Sequence, residues 1–107
     1  MNLPKVITDL VTAQNNFDSV AYANCFSETA VVFDEGRTHS GRKEVEQWIA
    51  DANEQYEAVM KPVSFEKKET ESILKAEVSG NFPGSPVLLS YHLEIAGELI
   101  QSLKITG

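Results

Sequence analysis

Cysteine is almost missing from this chain. Its 107 residues include one, Cys25, so no internal disulfide can staple the fold, and a small scaffold held by cross-links is excluded. Positive charge is also scarce: 9 Lys+Arg stand against 16 Asp+Glu, a formal net charge of −7. Such a chain lacks the Lys/Arg clusters that supply affinity for a phosphate backbone, and an anionic membrane surface would repel it. No stretch approaches the ~20 apolar residues of a membrane-spanning helix. The segment from Met1 to Asp9 holds no apolar run of signal-peptide length. Neither nucleic acid nor membrane is therefore an expected partner, and the expected location is cytoplasmic. Only two histidines are present, His39 and His92, with no metal-ligand spacing and no Cys or acidic cluster to complete a site. No metal and no cofactor is expected. Repeats, low-complexity tracts and linkers are absent too, which leaves one domain over residues 1–107 with an adequate but modest core. Cys25 itself has no His or Lys close in sequence to lower its pKa, and reads as a small buried apolar side chain.

What is present divides by period. Pro4 suits a first helical turn, and Val6, Ile7, Leu10, Val11 and Phe17 follow at helical spacing up to Asn15-Asn16. Asp18 is a good N-cap for a short second helix from Ser19 to about Ser27, with Val20, Ala23 and Phe26 on one face. Ala30 to Asp34 reads as a strand and Glu35 to Thr38 as a turn. A third helix starts at Ser40 or Gly41 and runs to Val59, with Val45, Trp48, Ile49, Ala52, Tyr56 and Val59 as its apolar stripe. After Pro62 the period becomes two. Val63–Lys68, Ile73–Asn81, Val87–Ala96 and Leu99–Thr106 read as strands, the last two joined at Gly97-Glu98. The order α-α-β-α-β-β-β-β implies an α+β domain with a largely antiparallel sheet curled over the third helix. One helical layer on a curved sheet leaves a conical space suited to a ligand.

This order resembles the nuclear transport factor 2-like superfamily, and local residues resemble its SnoaL-like and ketosteroid isomerase-like branch. Phe26-Ser27-Glu28-Thr29-Ala30-Val31-Val32-Phe33-Asp34 resembles that branch's passage from second helix to first strand. Thr38-His39-Ser40-Gly41-Arg42-Lys43-Glu44-Val45, followed by Trp48, resembles the glycine that opens its third helix. The resemblance covers the whole chain and implies a cone-shaped fold: three N-terminal helices packed on a curved, mixed, mostly antiparallel sheet. It implies much less about function, because this fold hosts isomerases, cyclases, dehydratases, epoxide hydrolases and non-catalytic modules.

Asp34 is the leading candidate for chemistry. The resemblance implies that a carboxylate here, at the end of the first strand, is the general base of the isomerases and cyclases. From the residues alone, Asp34 follows an apolar strand and should sit at a pocket mouth beside Trp48 or Tyr56, where desolvation raises its pKa. The competing reading is a turn carboxylate in Asp-Glu-Gly. The donors that the isomerases aim at an enolate oxygen are not matched: their helix-one tyrosine falls on Leu10, and their fourth-strand acid falls on Tyr91. Tyr91 alternates inward with Leu89 and Leu93, and is a candidate hydrogen-bond donor as well as an ordinary core tyrosine. Steroid isomerase activity itself is not expected.

The ligand pocket is expected to be walled by Trp48, Ala52, Tyr56, Phe65 and Leu89, with His39 at its rim, and to be nearly uncharged apart from Asp34. His92 falls on the outer face of the sheet. Arg37 and Arg42 lie near Asp34, but no second inward Asp completes the arrangement of the epoxide hydrolases, and the paired inward histidines of the dehydratases are lacking. The function expected is binding of a small apolar or weakly polar molecule, with isomerase- or cyclase-type proton transfer if there is turnover. The alternative is a non-catalytic module acting through the outer sheet face (Leu88, Ser90, His92, Ile100 and Ser102), as a homodimer or with another partner.

Overall fold

Pro4 fixes the entry to the first helix, its carbonyl accepting from the Ile7 and Thr8 amides at 3.0 and 3.1 Å. The structure, a computed structural model, describes residues 1–107. Helix α1 (Lys5–Asn15) buries Val6, Ile7, Leu10, Ala13 and Gln14. Each fully buried aliphatic side chain of this kind contributes about 1.5–3 kcal/mol of transfer free energy. The helix closes in a Schellman motif: the Phe17 amide donates to Gln14 O and the Asp18 amide to Ala13 O, with Phe17 left-handed at φ 54°. Phe17 thus leaves the apolar stripe expected of it and stands 43% exposed.

Asp18 caps α2 (Ser19–Ala23), its carboxylate accepting from the Ala21 amide at 3.0 Å. This helix is shorter than its spacing suggests. Val20 is exposed, and Phe26 already belongs to a strand, β1 (Phe26–Asp34). The cause is tertiary: Phe26 pairs in parallel with Ile100, and the Ile100 amide donates to Cys25 O at 2.9 Å. Cys25 is buried, and burial pushes its thiol up to about 11, as befits an inert side chain.

The expected turn over Glu35–Thr38 contracts to two residues. Glu35 and Gly36 both take positive φ, 51° and 74°, as a type I′ hairpin requires. The chain then returns as a short edge strand, β2 (Arg37–Ser40), with Asp34 opposite Arg37 and Val32 opposite His39. Gly41, at φ 89°, caps α3 (Arg42–Tyr56), while the Arg42 guanidinium donates twice to Phe26 O, at 3.0 and 2.7 Å. Glu57 is left-handed at φ 47° and stops the helix, so Val59 opens a strand instead of ending the stripe.

Four further strands follow: β3 (Val59–Lys67), β4 (Ser72–Ser79), β5 (Val87–Ala96) and β6 (Leu99–Thr106). The six strands form one mixed sheet in the order β2-β1-β6-β5-β4-β3, parallel between β1 and β6 and antiparallel elsewhere. Pro62 is tolerated because β3 is an edge strand, and the register shifts beside it. A second shift leaves Gln101 unpaired between the Glu94–Ser102 and Ile95–Ile100 pairs. That bulge reverses the alternation, so Ile100 turns inward and is fully buried, not on the outer face where alternation alone would put it.

The core lies between the helices and one face of the sheet, with Val32, Leu74, Leu93 and Leu103 against Ile7, Leu10, Val45 and Ile49. Two side-chain amides of α1 bind the start of β3 and the chain leading into it. Asn15 exchanges two hydrogen bonds with the Met60 backbone, at 3.0 and 2.7 Å. Gln14 donates to Ala58 O at 2.8 Å and to the Asn53 side chain at 3.0 Å. No helix is long and apolar enough to cross a membrane.

Candidate functional site

Residues two apart on a strand share a face, and directly paired residues point the same way. Asp34 therefore faces inward with buried Val32, joined by Arg37 and His39 from β2. Helix α3 supplies the opposite wall: Trp48, Ala52 and Tyr56 recur at steps of four. Between them lies an open cleft of about 520 Å³. Partly buried Asp34, His39, Trp48, Ala52 and Tyr56 form its walls, and exposed Glu35, Arg37, Asp51 and Gln55 its rim. The rim corrects the expectation of a pocket nearly free of charge. The tight hairpin carries Glu35 and Arg37 over the cleft, and the turn of α3 that presents Ala52 also presents Asp51.

The Asp34 carboxyl is raised above the ordinary carboxylate range. Burial is the main cause and the neighbouring Glu35 charge the next; the Trp48 indole, His39 and the Glu35 amide partly oppose them. Arg37 stands directly across the hairpin yet forms no ion pair: the ion pairs of the molecule are Lys5–Asp9 and His92–Glu71. The Trp48 indole holds the Asp34 carboxyl lower than burial alone would leave it. Its ring stacks on His39 at 5.6 Å and meets Tyr22 at 6.1 Å, and Tyr22 in turn meets Phe26 at 5.6 Å.

Three other expected pocket residues lie elsewhere. Tyr91 is 6% exposed and belongs to the core, in a cross-strand row with Leu74 and Phe65. Leu89 and Phe65 are partly buried against that core. None of the three lines the cleft. Tyr91 nonetheless senses the site, because burial and the Asp34 charge together push its phenol up.

Tyr22 is a core residue that backs Trp48, a neighbour of the cleft that the sequence did not single out. It is 2% exposed, and burial, then the charges of Tyr91, Cys25 and Asp34, hold its phenol well above the usual value. The one buried side-chain polar atom without a hydrogen-bond partner is Asn53 Nδ2. A signal for Tyr22 did exist: Tyr22 and Phe26 stand four apart, a helical step as regular as the face built on Val20.

Two other features lie apart. A wider hollow of about 1000 Å³ between α1, α2 and the β5–β6 turn shares no residue with the cleft. It holds one ion pair, Lys5–Asp9, and the inert Cys25. His92 sits on the outer face, bound to Glu71 and Thr106 at 3.0 Å each. No group of three or more His, Cys, Asp or Glu is placed to hold a metal ion.

Comparison with known proteins was informative on the structural side alone: no family model and no curated protein matches the chain. Among solved structures, a Sinorhizobium meliloti protein proposed to be a polyketide cyclase superposes with a TM-score of 0.92 at 33% identity, over 97% of this chain and 95% of that one. A Catenulispora acidiphila protein of ketosteroid isomerase-like fold, solved with trimethylamine, gives 0.88 at 18% identity, over 99% and 87%. A nuclear transport factor 2-like protein of unknown function from Cytophaga hutchinsonii gives 0.79 at 11%, over 99% and 90%. The last two are likenesses of fold.

Proposed function

The chain belongs to the nuclear transport factor 2-like superfamily, in its ketosteroid isomerase-like and SnoaL-like branch, and from that premise we propose that it binds a small molecule in the Asp34 cleft and moves a proton on it, with Asp34 as general base. One observation carries this reading. Asp34 is a partly buried carboxylate in a cleft wall with no cationic partner, although Arg37 stands opposite. A turn carboxylate of merely local purpose would pair with that arginine or face solvent. Desolvation raises the carboxyl above its ordinary value and so strengthens the carboxylate as a base. It would take a proton from a carbon acid held against Trp48 and return it to another position, as isomerase- and cyclase-type reactions require.

The test is exchange of α-protons of small apolar ketones in D₂O, followed by proton NMR. Wild type should accelerate exchange, and Asp34→Asn should lose roughly 10²–10⁴-fold of that acceleration, the usual contribution of a positioned base. Equal rates with the two proteins would remove Asp34 from catalysis.

A second reading, contact through the outer sheet face, rests on Phe33 and Leu88, which stand 44% and 55% exposed there. Its occupant would be a second copy of the chain.

A further inference from the structure

We propose that the Asp34 cleft selects a protonated amine carried on a small apolar body, the ammonium group lying beside the Asp34 carboxylate and against the Trp48 ring. This rests on the reading of the cleft as a ligand site, and is independent of whether turnover follows. Charge is the first ground. A partly buried carboxylate without an ion-pair partner is costly, and no arginine or lysine pairs with this one. Arg37 does not pair with it, Arg42 is spent on Phe26 O, and no lysine lines the cleft. With Glu35 and Asp51 at the rim, three carboxylates face one guanidinium.

The walls are the second ground. Trp48 lines the cleft with Asp34, its ring held in place by His39 and Tyr22, and gives an aromatic surface that an ammonium group can lie against. The sign of the local field is the third ground: the Asp34 carboxylate in the wall, with Glu35 and Asp51 at the rim, favours a cation in the cleft and disfavours an anion.

The experiment titrates the full chain with benzylammonium, benzyl alcohol and benzoate by calorimetry and by proton–nitrogen NMR, which reads the Trp48 indole directly. Benzylammonium is expected to bind at least tenfold more tightly than benzyl alcohol, to move the Trp48 indole resonance, and to weaken with added salt; benzoate is expected not to bind. Asp34→Asn should lose the tenfold preference while keeping the affinity for benzyl alcohol. If that variant does not fold, Trp48→Leu should weaken benzylammonium by a comparable factor, and the three-probe comparison on wild type still decides. Benzyl alcohol binding as tightly as benzylammonium would overturn the amine assignment and leave the cleft standing as a ligand site. Failure of all three probes to perturb Trp48 would overturn both.

Discussion

Asp34 has a cost that shows in stability. Its folded carboxyl is raised above its unfolded value, so in the pH window between the two values the folded state binds more protons than the unfolded one. Stability then falls as pH rises through that window, the reverse of a salt-bridged aspartate. Asp34→Asn should therefore melt higher than wild type at pH 7, with the gain vanishing below about pH 3.5, under the ordinary aspartate value; calorimetric melts at the two pH values check this. Glu35 offers a second handle. It holds a left-handed conformation that suits Asn, in a turn whose preferred pair is Asn-Gly. Glu35→Asn should stabilise by about 0.5–1 kcal/mol, the order of the strain an ordinary side chain carries there. It should also lower the Asp34 pKa by removing the neighbouring charge, which carboxylate NMR titration would read. At this scale the sequence was informative about Asp34, His39, Trp48, Ala52 and Tyr56, because a strand end and a helical stripe fix where such residues point. It did not single out Tyr22, because the four-residue step from Tyr22 to Phe26 competes with the face built on Val20, and five residues of helix hold too little period to choose between them.

Among the elements, those with long regular alternation were legible. In β4, Leu74, Ala76 and Val78 are buried as their spacing requires, and β5 and β6 begin and end where they were expected. Elements bounded by contacts distant in sequence were not. Helix α2 loses its last turn to the parallel pairing of Phe26 with Ile100. Strand β2 carries no apolar pattern, because it is an exposed edge that borrows its register from β1. Ile100 changes face because one residue is inserted in its ladder. The join of α3 to β1 rests on Arg42, whose two charge-assisted bonds hold the helix start on the Phe26 carbonyl. Arg42→Met keeps the stem and removes the donors. It should cost about 1–3 kcal/mol, the penalty for an unsatisfied part-buried acceptor, or several degrees in Tm for a domain of this size. Because Arg42 does not face Asp34, proton exchange by the folded fraction should be unaffected, which kinetics at low temperature would check.

At the scale of the molecule, part of the charge of −7 crowds the mouth of the cleft, through Glu35 in the turn between β1 and β2 and Asp51 on α3. The outer sheet face makes its own prediction. If two copies meet there, light scattering should give twice the chain mass, and Leu88→Lys together with Phe33→Lys should return it to one; a wild type that scatters as a single chain at high concentration would dismiss the contact. The opposite edge tells a different story. Asn15 binds the Met60 N–H and carbonyl on the free side of β3, where the backbone of a seventh strand would otherwise dock. Further along, Pro62 offers no N–H, and Lys61, Glu66 and Lys67 add charge. The first helix thus acts as a guard on the sheet's exposed rim as well as a part of the core. A molecule whose first helix frays, while the rest stays folded, would present an open template to its neighbours, so self-association into fibrils would begin from that local opening before the sheet itself unravels.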